Sequence, residues 1–302
     1  MTGVAYVAGA DTFIGRAITR RLKEAHRDVL SEPEPDLTDR GAVERFLQKT
    51  RPDLVFATAG RTAGIAGNQN APADLMLDNL MIGANLISSS WKAGASKLLY
   101  LASSCVYPKA APQPFSVRSL WTGPVEPTSN AYAVAKLAGI RLCEAYRRQH
   151  GVHFITAISA DVYGPGDNFD PEHSHVAAAL IRRIHEAKQS GQASVSIWGS
   201  GEPRREFIYV DDLADAAIFA MDRYDEDEPL NLGTGITTTI AELAETIRQV
   251  VGYTGALQFD LTKPDGMPFK GLDSSRLNAL GWKPNTTLKQ GLEETYRSFI
   301  SG

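Results

Sequence analysis

The chain has 302 residues, 43% of them hydrophobic and 22% charged, with a formal net charge of −4. That is enough for one large or two unequal domains with a real core. There is no long basic run to suit a nucleic acid and no uninterrupted apolar stretch able to span a bilayer, so neither partner is expected. In chain order, VAYVAGA reads as a first strand rather than a signal peptide, and 13–25 reads as a helix. DVL and the helix 41–49 follow, then LVFATAG and 73–92, KLLYLAS and 131–150, and FITAISA from Phe154. Short apolar strands separated by amphipathic helices predict an α/β fold, a doubly wound parallel (Rossmann-type) sheet covered on both faces. After Tyr163-Gly164-Pro165-Gly166 the rhythm breaks, and a helix is expected over 175–188. EFIYV with the helix 212–223 reads as a return to the first domain. LNLGTG, a helix over 240–253, LQFD and a closing helix make a smaller, mainly C-terminal lobe. The expected division is a dinucleotide-binding domain over 1–165 plus about 206–232, and a substrate-binding lobe over about 166–205 plus 233–302, with the substrate between them.

The two cysteines, Cys105 and Cys143, make no disulfide framework, which fits a reducing cytoplasm. His173 and His175 stand two apart with nothing nearby to complete a ligand set, so no metal is expected.

Ser103-Ser104-Cys105-Val106-Tyr107-Pro108 stands at the carboxyl end of the KLLYLA strand. Strand alternation predicts Ser103 and Cys105 on one face and Ser104 on the other. Tyr132 and Lys136 are four apart in a helical stretch and share a face. A nearby ammonium is expected to lower the phenol from its ordinary value near ~10 and make it a usable acid/base. YxxxK alone is a weak signal, but a strand-end serine and an N-terminal dinucleotide-type turn strengthen it.

That turn is Val7-Ala8-Gly9-Ala10-Asp11-Thr12-Phe13-Ile14-Gly15. It joins the first strand to the first helix, where a pyrophosphate would meet helix N-terminal amides. Gly9 permits the tight turn and Gly15 close helix–sheet packing. Thr12 replaces the middle glycine and puts a Cβ where backbone and phosphate should approach. Candidate cofactor contacts are Gly9, Asp11, Thr12, Phe13, Ile14 and Gly15, then Glu32, Asp36 and Leu37 after the second strand. Ala57, Ala59, Tyr132 and Lys136 complete the set.

Several segments carry a resemblance: ADLMLDNLMIGANLI (73–87), KLLYLASSCVYPKAAPQPF (97–115), EPTSNAYAVAKLAGIRLCEAYRRQHG (126–151), VYGPGDNFDPEHSHVAAALIRRIHEA (162–187), WGSGEPRREFIYVDDLADA (198–216) and KPDGMPFKGLD (263–273). The chain resembles the extended short-chain dehydrogenases, and within them the family of GDP-L-fucose synthases, which are GDP-4-keto-6-deoxy-mannose 3,5-epimerase/4-reductases. The resemblance implies a reductase set of Ser103, Tyr132 and Lys136 and an epimerisation pair of Cys105 and His175. It places Arg205 and Lys270 on the diphosphate and makes Val176, Leu180, Ile197 and Trp198 walls for the base. It also implies NADP(H) and, with helices 73–92 and 131–149 paired about a two-fold axis, a homodimer.

The chemistry suits these residue types. C3 and C5 of a 4-keto sugar carry acidic protons, so the ketone oxygen needs hydrogen-bond donors and each neighbouring carbon a proton-exchanging group. On the resemblance, Ser103 and Tyr132 can supply the donors, and Cys105 and His175 can exchange protons from opposite sides. Tyr132 can protonate the alkoxide formed by reduction at C4, with Lys136 also expected to hold the nicotinamide ribose. Cys143, on the Tyr132 helix, reads as a packing residue.

Departures at four positions qualify the resemblance. Asp11 and Glu32 stand where NADPH-dependent relatives carry arginines for the 2′-phosphate. A carboxylate there suits a free ribose diol, which favours NAD(H) unless Glu32 and Glu34 merely decorate a Pro-rich loop. Asp161 replaces an asparagine that can face the substrate, and Phe269 replaces a basic residue beside Lys270. Alternative readings are an NAD-retaining nucleotide-sugar epimerase without net reduction, and a non-catalytic dinucleotide-binding regulator.

Overall fold

The computed structural model describes residues 3–62, 68–171 and 173–301. β1 (Ala5–Ala8), β2 (Leu54–Ala57), β3 (Lys97–Ser103), β4 (His153–Ser159) and β8 (Leu230–Leu232) form a five-stranded parallel sheet in the order β1-β2-β3-β4-β8. Their side chains are buried almost without interruption, as a sheet covered on both faces requires. α2 (Arg40–Thr50), α3 (Pro72–Ala93) and α4 (Asn130–His150) pack in succession, while α1 (Phe13–Glu24) packs against α6 (Val210–Arg223). Arg20–Asp211, Arg21–Asp215 and Arg27–Asp222 ion pairs join α1 and the residues after it to α6.

DVL, expected as a full strand, makes only a parallel bridge from Val29 to Ala5 on the free side of β1. Pro33 and Pro35 follow at once, and proline has no amide to donate to a ladder.

After Ser159 the chain leaves this sheet and becomes β5 (Asp161–Tyr163). β5 pairs with β7 (Arg204–Tyr209), which also pairs with β9 (Thr237–Thr239) and β11 (Phe269–Lys270). The EFIYV segment therefore pairs in a second sheet, although its Ile208 is buried in the main core, and the helix after it packs on α1 and the main sheet. Apolar strand residues specify burial, and either sheet offers it.

α5 (Val176–Gln189), α7 (Ile240–Val251), α9 (Leu288–Ser301), β6 (Ser194–Trp198) and β10 (Ala256–Asp260) build a second core around Ile181, Ile184, Ile197, Leu243, Ile247 and Leu292. α8 (Ser275–Ala279) is a short helix beside β8. Thr239 and Glu242 form a reciprocal capping box at the start of α7. The buried Glu206 ties the two regions together: its carboxylate accepts the amides of Gly235 at 2.8 Å and Leu272 at 2.6 Å. Among the described residues no helix is long and apolar enough to cross a membrane.

Candidate active site

β1 ends where the sheet order reverses, with Val29 on one side and β2 on the other, which is the ligand-binding crevice of open α/β sheets. Gly9 has φ +78° and turns the chain away from the strand. Thr12 is the N-cap of α1: its hydroxyl donates to the Gly9 carbonyl at 2.7 Å and accepts the Gly15 amide at 3.2 Å. The side chain expected to obstruct the turn is thus folded back to brace it. The Phe13 and Ile14 amides, at the first two helical positions, have no intrahelical acceptor and are available to an anion.

A Cβ on Gly15 would lie 1.9 Å from the Gly9 carbonyl oxygen. Gly15→Ala should therefore destabilise the fold by roughly 1–3 kcal/mol and weaken dinucleotide binding, as urea melts and calorimetric titration can check.

Glu34 is tied to this turn and does not simply decorate its loop. Its Oε1 accepts the Gly9 amide at 2.7 Å and the Tyr6 hydroxyl at 2.8 Å. Asp11 and Glu32 are exposed. Asp36 turns inward on its own loop, accepting from the amide and hydroxyl of Thr38, while buried Leu37 offers its carbonyl to Asn85. Ala57 and Ala59 are buried at the end of β2. The turn, its open amides and the crevice fit a dinucleotide.

β3 stops at Ser103, and Ser104–Val106 form a turn of 3-10 helix. Ser103 and Cys105 come together through this turn, with the Ser103 hydroxyl near enough to favour the thiolate, while Ser104 is buried. Burial pushes the Cys105 thiol up, and Lys270, the Ser103 hydroxyl and Lys136 draw it back towards thiolate. Lys136 is buried on α4, with its ammonium donating to Leu101 O at 3.1 Å and Ala59 O at 3.4 Å, and it lies 5.8 Å from the Tyr132 ring centre. Burial lowers Lys136 to about 8.

Tyr132 moves opposite to the sequence expectation. Burial raises its pKa well above the ordinary phenol value, and the fields of Cys105 and Tyr100 add to the rise. The same desolvation lowers the pKa of Lys136, so burial moves the two groups in opposite directions. Tyr132 is accordingly held protonated, the form a proton donor needs.

Asn79 escaped the sequence reading as a site residue, although it lies inside the DNLMIGANL stretch. Its amide donates to Leu75 O at 2.7 Å and Arg61 O at 3.0 Å, and its buried Oδ1 has no hydrogen-bond partner among the described residues. A Cβ on Gly60 would be 2.7 Å from that oxygen and 3.2 Å from Lys136 Nζ, which puts Asn79 beside the lysine.

The second sheet supplies the other wall. Asp161 opens β5, and Arg205 and Lys270 are register partners on β7 and β11. Lys270 Nζ donates to Asp161 Oδ1 at 2.7 Å. Burial pushes Asp161 up, but Lys270, His175 and Arg205 together hold its carboxyl below the usual range. Arg205 pairs with neither Glu202 nor Glu206: its guanidinium donates to the carbonyls of Arg204 at 2.8 Å and Met267 at 2.6 Å. His175 is the exposed N-cap residue of α5, and its charge bears on both Asp161 and Asp167. Asp167, which sequence patterning did not single out, has one buried oxygen with no hydrogen-bond partner among the described residues and is raised by burial to about 6. Val176 is half-buried, Trp198 is 66% exposed, and Leu180 and Ile197 are 3% and 2% exposed within the second core. Of the four expected base walls, Trp198 and Val176 are accessible, whereas Leu180 and Ile197 back the cleft from the core.

A parallel sheet with a dinucleotide turn at its switch point, and a helix carrying Tyr132 and Lys136 packed against the strand that ends at Ser103, define an extended short-chain dehydrogenase. A family model described as "NAD dependent epimerase/dehydratase family" matches residues 5–233, and the chain belongs to that family. The chain is 49% identical to "Probable GDP-L-fucose synthase 1" of Oryza sativa subsp. japonica, over 99% of this chain and 92% of that protein. It is 43% identical to the GDP-L-fucose synthase of Escherichia coli strain K12, over 98% and 96% respectively. The structure of a GDP-L-fucose synthetase from Naegleria fowleri bound to NADP superposes with a TM-score of 0.91 at 28% identity, covering 99% of this chain and 92% of that one. The cofactor class is NAD(P)(H).

Proposed function

We propose that the enzyme converts a GDP-4-keto-6-deoxy-hexose to GDP-L-fucose or a close relative by C3/C5 epimerisation and reduction at C4. The observation that carries this reading is Cys105, placed by the turn after β3 beside Ser103 and close enough to Tyr132 and Lys136 for their charges to interact. A thiol has no task in simple alcohol oxidation, but a carbon acid needs such a group beside it. The likeness to GDP-L-fucose synthases over nearly the whole chain supports the same substrate.

In this reading a bound nicotinamide supplies the hydride. Ser103 and Tyr132 donate hydrogen bonds to the ketone oxygen, which stabilises the enolate formed when a C3 or C5 proton leaves. Cys105 and His175 exchange those protons. Tyr132 protonates the new alkoxide, and Lys136 supports the phenol and holds the ribose. Arg205 and Lys270 bind the diphosphate, with Asp161, Val176, Leu180 and Trp198 around the nucleotide sugar. Incubation with GDP-4-keto-6-deoxy-mannose and reduced cofactor should give net NAD(P)H oxidation. Sugar epimerisation without net oxidation would support the NAD-retaining epimerase instead, the reading that Asp11 and Glu32 favour.

Those carboxylates carry a separate prediction. A 2′-phosphate would meet two negative charges, each costing on the order of 1 kcal/mol even when partly screened. NAD(H) should therefore bind more tightly than NADP(H), and Asp11→Arg/Glu32→Arg should shift preference towards NADP(H). Calorimetric titration of both dinucleotides tests this, and a wild-type preference for NADPH of about tenfold or more would overturn it. A cytoplasmic homodimer completes the proposal. Leu77, Met81 and Trp91 on α3 are 58%, 36% and 37% exposed, which suits pairing of α3 and α4 across a two-fold axis. Sedimentation velocity should give twice the chain mass.

A further inference from the structure

The second sheet gathers charges of both signs at the cleft. Lys270 comes from β11, Arg205 from the neighbouring β7, Asp161 from the start of β5, and His175 from the head of α5. Cys105 faces them from the turn after β3, where the charges of Lys270 and Asp161 both reach its thiol. Glu206, the other carboxylate beside Lys270, is already committed to the amides of Leu272 and Gly235. Arg205 is held by backbone carbonyls and pairs with no carboxylate among the described residues. Asp161 is thus the counter-ion of Lys270, at 2.7 Å, with the two side chains only 30% and 22% exposed.

One ammonium cannot give its full attraction to two anions at once. A phosphate arriving at Lys270 must displace Asp161 or share the cation with it, and in either case it approaches a fixed negative charge in a partly desolvated site. We propose that Asp161 is a built-in competitor for Lys270, exchanged for the ligand's diphosphate on binding, and so sets how tightly the diphosphate of a nucleotide sugar is held. The inference rests on the reading that this cleft takes a GDP-sugar. It also gives the Asp161 substitution a role: the carboxylate weakens diphosphate binding without removing either cation.

The test is a double-mutant cycle read by calorimetry, using GDP-mannose as a stable GDP-sugar and guanosine as the phosphate-free control. Wild type, Asp161→Asn, Lys270→Met and the double variant are titrated at low and high salt. Asp161→Asn should tighten GDP-mannose about tenfold at low salt, with a smaller gain at high salt, and leave guanosine unchanged. Without Lys270 only the direct repulsion between Asp161 and the diphosphate remains, so the same substitution in the Lys270→Met background should gain clearly less than it does in wild type. Unchanged or weaker GDP-mannose binding by Asp161→Asn would overturn the inference, as would an equal gain with and without Lys270. If wild type and every variant bind neither GDP-mannose nor guanosine, the functional reading falls and the inference with it. Wild-type binding without a gain in Asp161→Asn overturns the inference alone.

Discussion

Tyr132→Phe is expected to lower the rate of 4-keto reduction by about two to four powers of ten while leaving folding and dinucleotide affinity nearly unchanged. The substitution removes one hydroxyl and little volume. Lys136 keeps its own hydrogen bonds to the Leu101 and Ala59 carbonyls, so the loss is confined to the proton donor. Because burial holds the phenol protonated, the donor form is already present at neutral pH and the lost hydroxyl has no ready substitute. Single-turnover oxidation of reduced cofactor, with dinucleotide affinity measured alongside, separates chemistry from binding. A variant that keeps most of its reduction rate would remove Tyr132 from the mechanism.

Cys105→Ser and His175→Asn are expected to suppress proton exchange at carbon more than they suppress reduction. In deuterium oxide the wild-type enzyme should place solvent deuterium at C3 and C5 of a 4-keto-6-deoxy substrate, and each variant should lose most of that incorporation. A serine hydroxyl is a far weaker acid than a thiol, and asparagine does not titrate, so both substitutions remove acid/base chemistry while keeping similar bulk. Reduction depends on Tyr132 and Lys136 on another element and should fall less. Wild-type exchange in both variants would exclude the pair.

Much of the architecture was legible because it depends on local pattern. Buried strands such as VAYVA and KLLYLA and the helical spacing of the segments between them specify a parallel sheet covered on both faces. The helices stand within a residue or two of their predicted limits. Motif spacing also brought forward Ser103, Cys105, Tyr132 and Lys136, since a turn and one helical face are short-range objects. DVL was overread because the prolines after it prevent a strand ladder. Which sheet EFIYV joins was not legible, because its pattern holds no information about its neighbours.

Electrostatics was the least legible part. Sequence separation alone predicts that Lys136 acidifies Tyr132. Burial acts on both groups, and it raises the phenol while lowering the ammonium. Asn79 and Asp167 stayed hidden for a related reason: each is notable because one oxygen is buried without a partner among the described residues.

By itself the sequence determined the fold class and the family, because hydrophobic period and motif spacing act over a few residues and survive without coordinates. Only the tertiary structure decided that Thr12 braces the glycine turn, that Glu34 is tied to it, and that Asp161 neutralises Lys270 from 109 positions away. Those facts depend on which groups meet across the fold and how much water is left between them, and both are settled by packing.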